Sequence, residues 1–147
     1  MKVKEIMTTG LKTTTADASV KYAANIMCLN NISGLPVVDD NDKIIGVISE
    51  KDVLQKMFPD MSDVAESGTI NFENMEQSYT DALGLTVGDL MTTNVATVDA
   101  DMPIMKAATL MCARQIRRIP VTEGGKLVGI VSIGDVHKAI FQQSLTS

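Results

Sequence analysis

Tryptophan is absent, and Phe and Tyr bring the aromatic content to only 3%. The core must therefore rest on Val, Ile, Leu, Ala and ten Met rather than on packed rings. Histidine occurs once, at His137. No Ser-His-Asp set assembles around it, and its place in the last predicted helix suits a surface residue. Cysteine occurs twice, at Cys28 and Cys112, with no CxxC or Cys/His cluster, which argues against a metal site. A structural disulfide does not suit a reducing compartment. Both thiols are expected as small buried apolar groups on matching helix faces. No apolar run approaches the roughly 20 residues of a membrane span. The opening MKVKEIM lacks the apolar core of a secretory signal, so a cytoplasmic setting is expected. There is no Gly-rich phosphate loop and no GxGxxG, which leaves classical nucleotide hydrolysis unsupported.

Positive charge is also short. Lys and Arg number 13 against 18 Asp and Glu, for a net charge of −5. A nucleic-acid footprint needs many cations to neutralise phosphates, so no nucleic-acid partner is expected. Between Lys56 and Lys106 there is no Lys or Arg at all, only acids such as Asp60, Asp63, Glu66, Glu73, Glu76 and Asp81. Within it residues 58–84 read as a solvated acidic linker, helical over residues 72–83 with Phe72, Met75 and Tyr79 on one face. A partner surface or a flap is the functional alternative.

What is present is a repeat. AANIMCLNNISGLPV (residues 23–37) lies over AATLMCARQIRRIPV (residues 107–121), sharing Ala, Ala, Met, Cys, Ile, Pro and Val in register. The same shift pairs IMTTGLKT (residues 6–13) with LMTTNVAT (residues 90–97). GVISEKDV (residues 46–53) meets GIVSIGDV (residues 129–136) after the loss of a single residue at the intervening turn. Internal repetition decides the fold before anything else is read. Each copy is roughly 55 residues, marginal for a core of its own, so two units packed about a pseudo-two-fold axis are expected.

Each copy reads as β-α-β-β-α. In the first, residues 3–7 form a short turn, 11–14 a strand, and a helix starts near Val20 behind the candidate caps Asp17 and Ser19. Ala23, Ala24, Met27 and Cys28 fall at helical spacing. Strands follow at 35–38 and 44–48 around a turn at 39–42, then a helix over 50–57. The second copy gives a strand at 95–98, a helix over 104–114 with Pro103 at its first turn, strands at 119–121 and 127–131 around Gly124 and Gly125, and a helix from Ile133 to about Gln142. Residues 143–147 are expected to fray. The fold class is α+β, built of α/β-type repeats, with unit one at 1–57, the linker at 58–84 and unit two at 85–147.

Two strand-to-helix junctions carry the candidate chemistry. Ser49 and Asp52 close GVISEKD, and Ser132 and Asp135 close GIVSIGD. Ser followed three residues later by an acid at a helix start resembles a capping box. The same geometry can serve a ligand. An ionised Asp is a pure acceptor with two oxygens and can take both hydroxyls of a ribose. A Ser hydroxyl and free helix N–H groups suit a phosphate. Arg117 and Arg118 precede the strand of the second copy where the first has Ser33 and Gly34. Guanidinium forks match phosphate oxygens. Met7 and Met91 occupy equivalent positions, where packing is the expected role.

The doubled plan, with IMTTGLKT, SGLPVVDDNDKIIGVISEKDV, LMTTNVAT and RRIPVTEGGKLVGIVSIGDV, resembles a pair of CBS (cystathionine-β-synthase) domains. The resemblance covers both copies and omits only the linker and the termini. It implies a disc-like regulatory module, often a homodimer, that binds AMP, ADP, ATP or a related adenosyl compound in clefts between the units. By position, Asp52 and Asp135 would hold ribose, with Ser49 and Ser132 beside ribose and phosphate. Thr13 and Thr97 would touch base or ribose. Ile32, Ser33 and Leu35, and likewise Ile116, Arg117 and Ile119, would line the base pockets. On the family pattern Asp52 and Ser49 would face Thr97, Arg117 and Arg118, and Asp135 and Ser132 would face Thr13 and Ser33. No catalysis and no required cofactor are implied, and the adenine nucleotide is a regulatory ligand. A protein partner or a second copy would read its arrival. The alternative is a structural dimerisation module in which both Ser–Asp pairs are only caps.

Overall fold

The structure is a computed structural model that describes residues 1–58, 65–66 and 68–146. The linker acids Asp60 and Asp63 and the final Ser147 lie outside the described residues. A 3-10 turn at Val3–Glu5 precedes α1 (Val20–Asn30), β1 (Gly34–Val38), β2 (Ile44–Ser49) and α2 (Glu50–Leu54), which a 3-10 turn continues over Gln55–Met57. Then come α3 (Phe72–Ala82), α4 (Val87–Leu90), β3 (Val98–Asp99), α5 (Ile104–Arg114), β4 (Arg118–Glu123), β5 (Lys126–Ser132) and α6 (Ile133–Thr146). The mixture of helix and strand, given twice in one order, is the expected α+β plan.

Local chemistry explains most boundaries. Ser19 caps α1 by accepting the Tyr22 N–H, and Asn31 ends it in the left-handed region at φ 53°. Asp17 instead accepts the Thr15 hydroxyl at 2.6 Å, and among the described residues it caps no helix N–H. Pro103 opens α5, and Gln115 closes it at φ 56°. Three expectations need correction. The strand expected over 11–14 is reduced to one parallel bridge, Thr14 to Val37. The strand expected over 95–98 pairs only at Val98 and Asp99, against Val121 and Thr122. The last helix does not stop near Gln142: α6 continues to Thr146, with Ser144 donating to the Phe141 carbonyl and Thr146 to that of Gln143.

Packing divides the chain differently from sequence order. One compact unit comprises Lys12–Asp39 and Ile45–Asn94, and the other Met1–Leu11, Asp40–Ile44 and Val95–Ser147. The leading segment of each repeat is thus exchanged into the unit of the other. In the first-repeat unit, Val20, Ala23, Met27, Leu35, Val37, Ile48, Val53 and Val87 form the core, with Met91 packed against it. In the second-repeat unit, Val3 joins Val98, Ile104, Ala107, Met111, Ile119, Val121 and Val131, with Met7 alongside.

Two glycines let the exchanged segments in. A Cβ on Gly46 would meet the Thr92 carbonyl oxygen at 2.8 Å and Met91 Sδ at 2.9 Å. A Cβ on Gly129 would meet Met7 Sδ at 2.6 Å and the Thr8 carbonyl oxygen at 2.9 Å. Antiparallel bridges fix both approaches, Val47 to Thr92 and Thr8 to Ile130.

The cysteines correct another expectation. Cys28 and Cys112 are free and exposed. The buried stripe of α1 is Val20, Ala23 and Met27, and that of α5 is Ile104, Ala107 and Met111. Each cysteine follows the last of these by one residue, about 100° further around the helix, and turns to solvent.

Thr14 is 4% exposed, and its hydroxyl has no hydrogen-bond partner among the described residues. The residue at the equivalent position of the second repeat is Val98, also buried. An unsatisfied buried hydroxyl costs about 1–3 kcal/mol. Thr14→Val is therefore expected to stabilise the chain by about 1 kcal/mol, read as a higher midpoint in urea at unchanged m-value. A lower midpoint would show that the hydroxyl has a partner.

Candidate functional site

Ser49 ends β2 in extended conformation and caps α2. Its Oγ accepts the Asp52 N–H at 3.2 Å, and its own N–H donates to Asp52 Oδ2 at 2.9 Å. Ser132 repeats this between β5 and α6. Its Oγ accepts the Asp135 N–H at 3.0 Å, and its N–H donates to Asp135 Oδ2 at 2.9 Å. Both pairs are thus formed capping boxes. A third box lies at α4, where the Thr86 N–H and hydroxyl donate to Asp89 Oδ2 at 3.0 and 2.9 Å. Those bonds, the amide first, hold the Asp89 carboxyl below the usual aspartate range. Asp89 belongs to none of the candidate ligand positions, so a box alone does not mark a ligand site.

Capping does not exhaust the carboxylates. An ionised carboxylate offers about four lone-pair sites. Asp135 gives one to the Ser132 N–H. Asp52 gives one to the Ser49 N–H and another, on Oδ1, to the Thr92 hydroxyl at 3.3 Å. Both aspartates are half-buried, so acceptor capacity remains at each strand-to-helix corner.

The structure stitches the strand entrances to these corners. The Glu50 N–H donates to the Ser33 carbonyl and the Ile133 N–H to the Arg117 carbonyl, both at 2.9 Å. In the β4–β5 ladder Arg118 lies opposite Ser132 and Ile119 opposite Val131. Arg117 and Arg118 are exposed. Within their units, the arginines therefore accompany Ser132 and Asp135, and Thr13 and Ser33 accompany Ser49 and Asp52. Ile32 and Ile116 are half-buried against the two cores, whereas Leu35 and Ile119 are fully buried within them. Thr13 is half-buried and Thr97 exposed, and among the described residues neither hydrogen-bonds to a Ser–Asp pair.

Sequence reasoning missed Thr92. It comes from the second repeat yet touches Asp52 of the first. The available signal was the Met-Thr-Thr tripeptide repeated at residues 7–9 and 91–93.

A groove lies elsewhere, within the first-repeat unit. It encloses about 550 Å³ between α1 and α3, with Lys21, Tyr22, Asn25, Cys28 and Tyr79 on its walls. A neighbouring pocket of about 290 Å³ reaches Glu50 and Leu54. None of their lining residues is a candidate ligand contact. Among the described residues no group of three His, Cys, Asp or Glu could hold a metal. No described helix is long and apolar enough to cross a membrane.

Comparison with known proteins agrees with this architecture. The chain is 32% identical over 137 residues to the chloroplastic CBS domain-containing protein CBSX2 of Arabidopsis thaliana. The match takes in 84% of this chain and 56% of the plant protein, so the chain spans little more than half of that relative. The crystal structure of CBSX2 superposes with a TM-score of 0.81 at 30% identity, covering 99% of this chain and 98% of that one. CBSX2 in complex with AMP gives 0.75 at 31% identity, covering 97% and 98%. The CBS domain pair of protein MJ0100, in complex with 5′-methylthioadenosine and S-adenosyl-L-methionine, gives 0.68 at 25% identity, covering 97% and 98%. The family model for the CBS domain matches residues 3–58 and again residues 87–142. With both halves of the doubled plan matched in tandem, the chain belongs to the CBS domain family.

Proposed function

We propose that this chain is a regulatory module that senses adenine nucleotides or a related adenosyl compound and carries out no catalysis. One observation carries the reading: the two Ser–Asp corners keep free carboxylate acceptors beside a strand end and a helix start. The AMP complex of CBSX2 and the adenosyl complex of MJ0100 support the ligand class. In this reading Asp52 and Asp135 accept ribose hydroxyls, and Ser49 and Ser132 stand beside ribose and phosphate. Thr13, Ile32, Ser33, Leu35, Thr97, Ile116 and Ile119 shape the base and ribose surroundings, the fully buried Leu35 and Ile119 from within the cores. Arg117 and Arg118 draw the phosphate. Ligand binding shifts the chain only as far as its affinity differs between two states. A homodimer, a cytoplasmic setting and a protein partner that reads the energy state complete the proposal. Exposed Met105, Phe141 and Leu145 are apolar surface that self-association would cover.

Isothermal titration with AMP, ADP, ATP and S-adenosylmethionine tests the ligand class. Saturable binding of at least one is expected, and silence from all four at millimolar concentration would remove its support. Arg117→Ala is expected to weaken AMP more than adenosine, by about tenfold or more, since hydrogen bonds to charged groups contribute about 1.5–3 kcal/mol. Equal losses for both ligands would take the guanidinium off the phosphate.

A second reading has its own observation. In all three Ser/Thr–Asp boxes the carboxylate accepts the amide of its own cap residue, as a capping role requires. The chain would then be a structural dimerisation or protein-interaction module. The aspartate variants discussed below separate the two.

A further inference from the structure

Asp52 and Asp135 occupy equivalent corners, yet their second oxygens differ. Asp52 Oδ1 accepts the Thr92 hydroxyl at 3.3 Å. Among the described residues Asp135 Oδ1 has no such donor, although Thr8 stands at the position matching Thr92. Thr92 is held by its backbone: its N–H donates to the Val47 carbonyl at 2.9 Å, and its carbonyl accepts the Val47 N–H at 3.0 Å. The preceding Met91 presses its Sδ toward Gly46. The hydroxyl is therefore presented by a fixed segment rather than by a wandering loop. Soon after Thr92, beyond Asn94, the chain leaves the first-repeat unit.

Resting on the nucleotide reading, we propose that Thr92 sets the ribose affinity of the Asp52 corner. Its hydroxyl occupies Oδ1, and a ribose hydroxyl displaces it. The Ser49 amide already orients the carboxylate through Oδ2, so the Thr92 bond is not needed to aim it. The bond is long for a hydroxyl on a carboxylate, which usually closes to about 2.5–2.7 Å. Displacement is accordingly cheap but not free. Asp135, without this competitor, is the tighter of the two ribose corners. Each ligand that enters at Asp52 releases a side chain on the segment leading into the second repeat, which couples occupancy to that segment.

The test uses the full chain carrying Asp135→Asn, so that the heat of AMP binding reports the Asp52 corner. Thr92→Val, which keeps the shape and removes the donor, is expected to tighten AMP about three- to tenfold, the worth of one modest hydrogen bond. Thr92→Ser keeps the hydroxyl and should bind AMP as the parent does. Binding of 2′,3′-dideoxy-AMP, which has no ribose hydroxyls, should be the same in all three. Unchanged or weakened AMP binding in Thr92→Val, with the parent still binding AMP through Asp52, overturns this proposal alone. AMP binding that Asp52→Asn leaves unchanged likewise overturns this proposal alone, whereas absence of saturable AMP binding to the wild-type chain overturns it together with the nucleotide reading, and the two failures are thereby told apart.

Discussion

Asp52→Ala combined with Asp135→Ala should abolish the rise in melting temperature that AMP produces, while lowering the ligand-free melting temperature by roughly 4–8 °C for the two capping boxes lost. A ligand at a hundred times its Kd stabilises the native state by about 2.7 kcal/mol per site. For a chain of this length each kcal/mol is worth roughly 2–4 °C, so the wild-type shift should be about 5–10 °C or more. Losing a cap costs about 1 kcal/mol. The two roles of the carboxylates thus leave different signatures. As ribose ligands, their loss erases the ligand-dependent shift. As caps alone, their loss lowers the curve equally with and without AMP, and any AMP-induced rise survives. Both corners keep acceptor capacity beyond their amide bonds, which is why the first pattern is expected.

Gly129→Ala and Gly46→Ala should each destabilise the chain by about 1–3 kcal/mol, the range for forcing extra volume into a packed region. The melting temperature should fall by roughly 3–10 °C. A new Cβ would sit within 2.9 Å of the Thr8 carbonyl at Gly129, and within 2.8 Å of the Thr92 carbonyl at Gly46. Main-chain oxygens held in a β-bridge cannot swing aside as a side chain can. Either substitution must push the exchanged segment outward. Gly134→Ala supplies the opposite sign. Its nearest neighbour would be Ser132 Oγ at 3.6 Å, and it lies in α6. Alanine there should be neutral or stabilising by up to about 1 kcal/mol, because it removes the backbone entropy cost of glycine in a helix. If Gly129→Ala melted like the wild type, the close approach of the Met7 segment would be wrong.

Those glycines also mark the limit of what the sequence made legible. α5 could be read to its ends, because Pro103 and the apolar run to Met111 are local signals. The Ser–Asp corners could be read because they occur twice in the same order. The exchange of Met1–Leu11 and Val87–Leu90 between units could not, because it depends on Met7 meeting Gly129 and Met91 meeting Gly46 far along the chain. Thr92 was missed for the same reason: its bond to Asp52 spans 40 residues. The cysteines were misplaced because a four-residue apolar cluster does not say which of its members faces inward. Only Ala23 and Met27 of that cluster complete the buried stripe begun by Val20.

The first strands were overread for a further reason. Thr-rich segments such as residues 11–15 have the branched side chains that favour strands, yet a strand needs a partner along its length. Thr14 pairs with Val37 alone.

A crystal structure of the chain grown with AMP tests the central claim most directly. The account predicts ribose hydroxyl oxygens within about 2.5–3.0 Å of the carboxylate of Asp135 or Asp52, with the Ser132 and Ser49 amide bonds still in place. AMP bound elsewhere, with both carboxylates engaged only by their own caps, would contradict it.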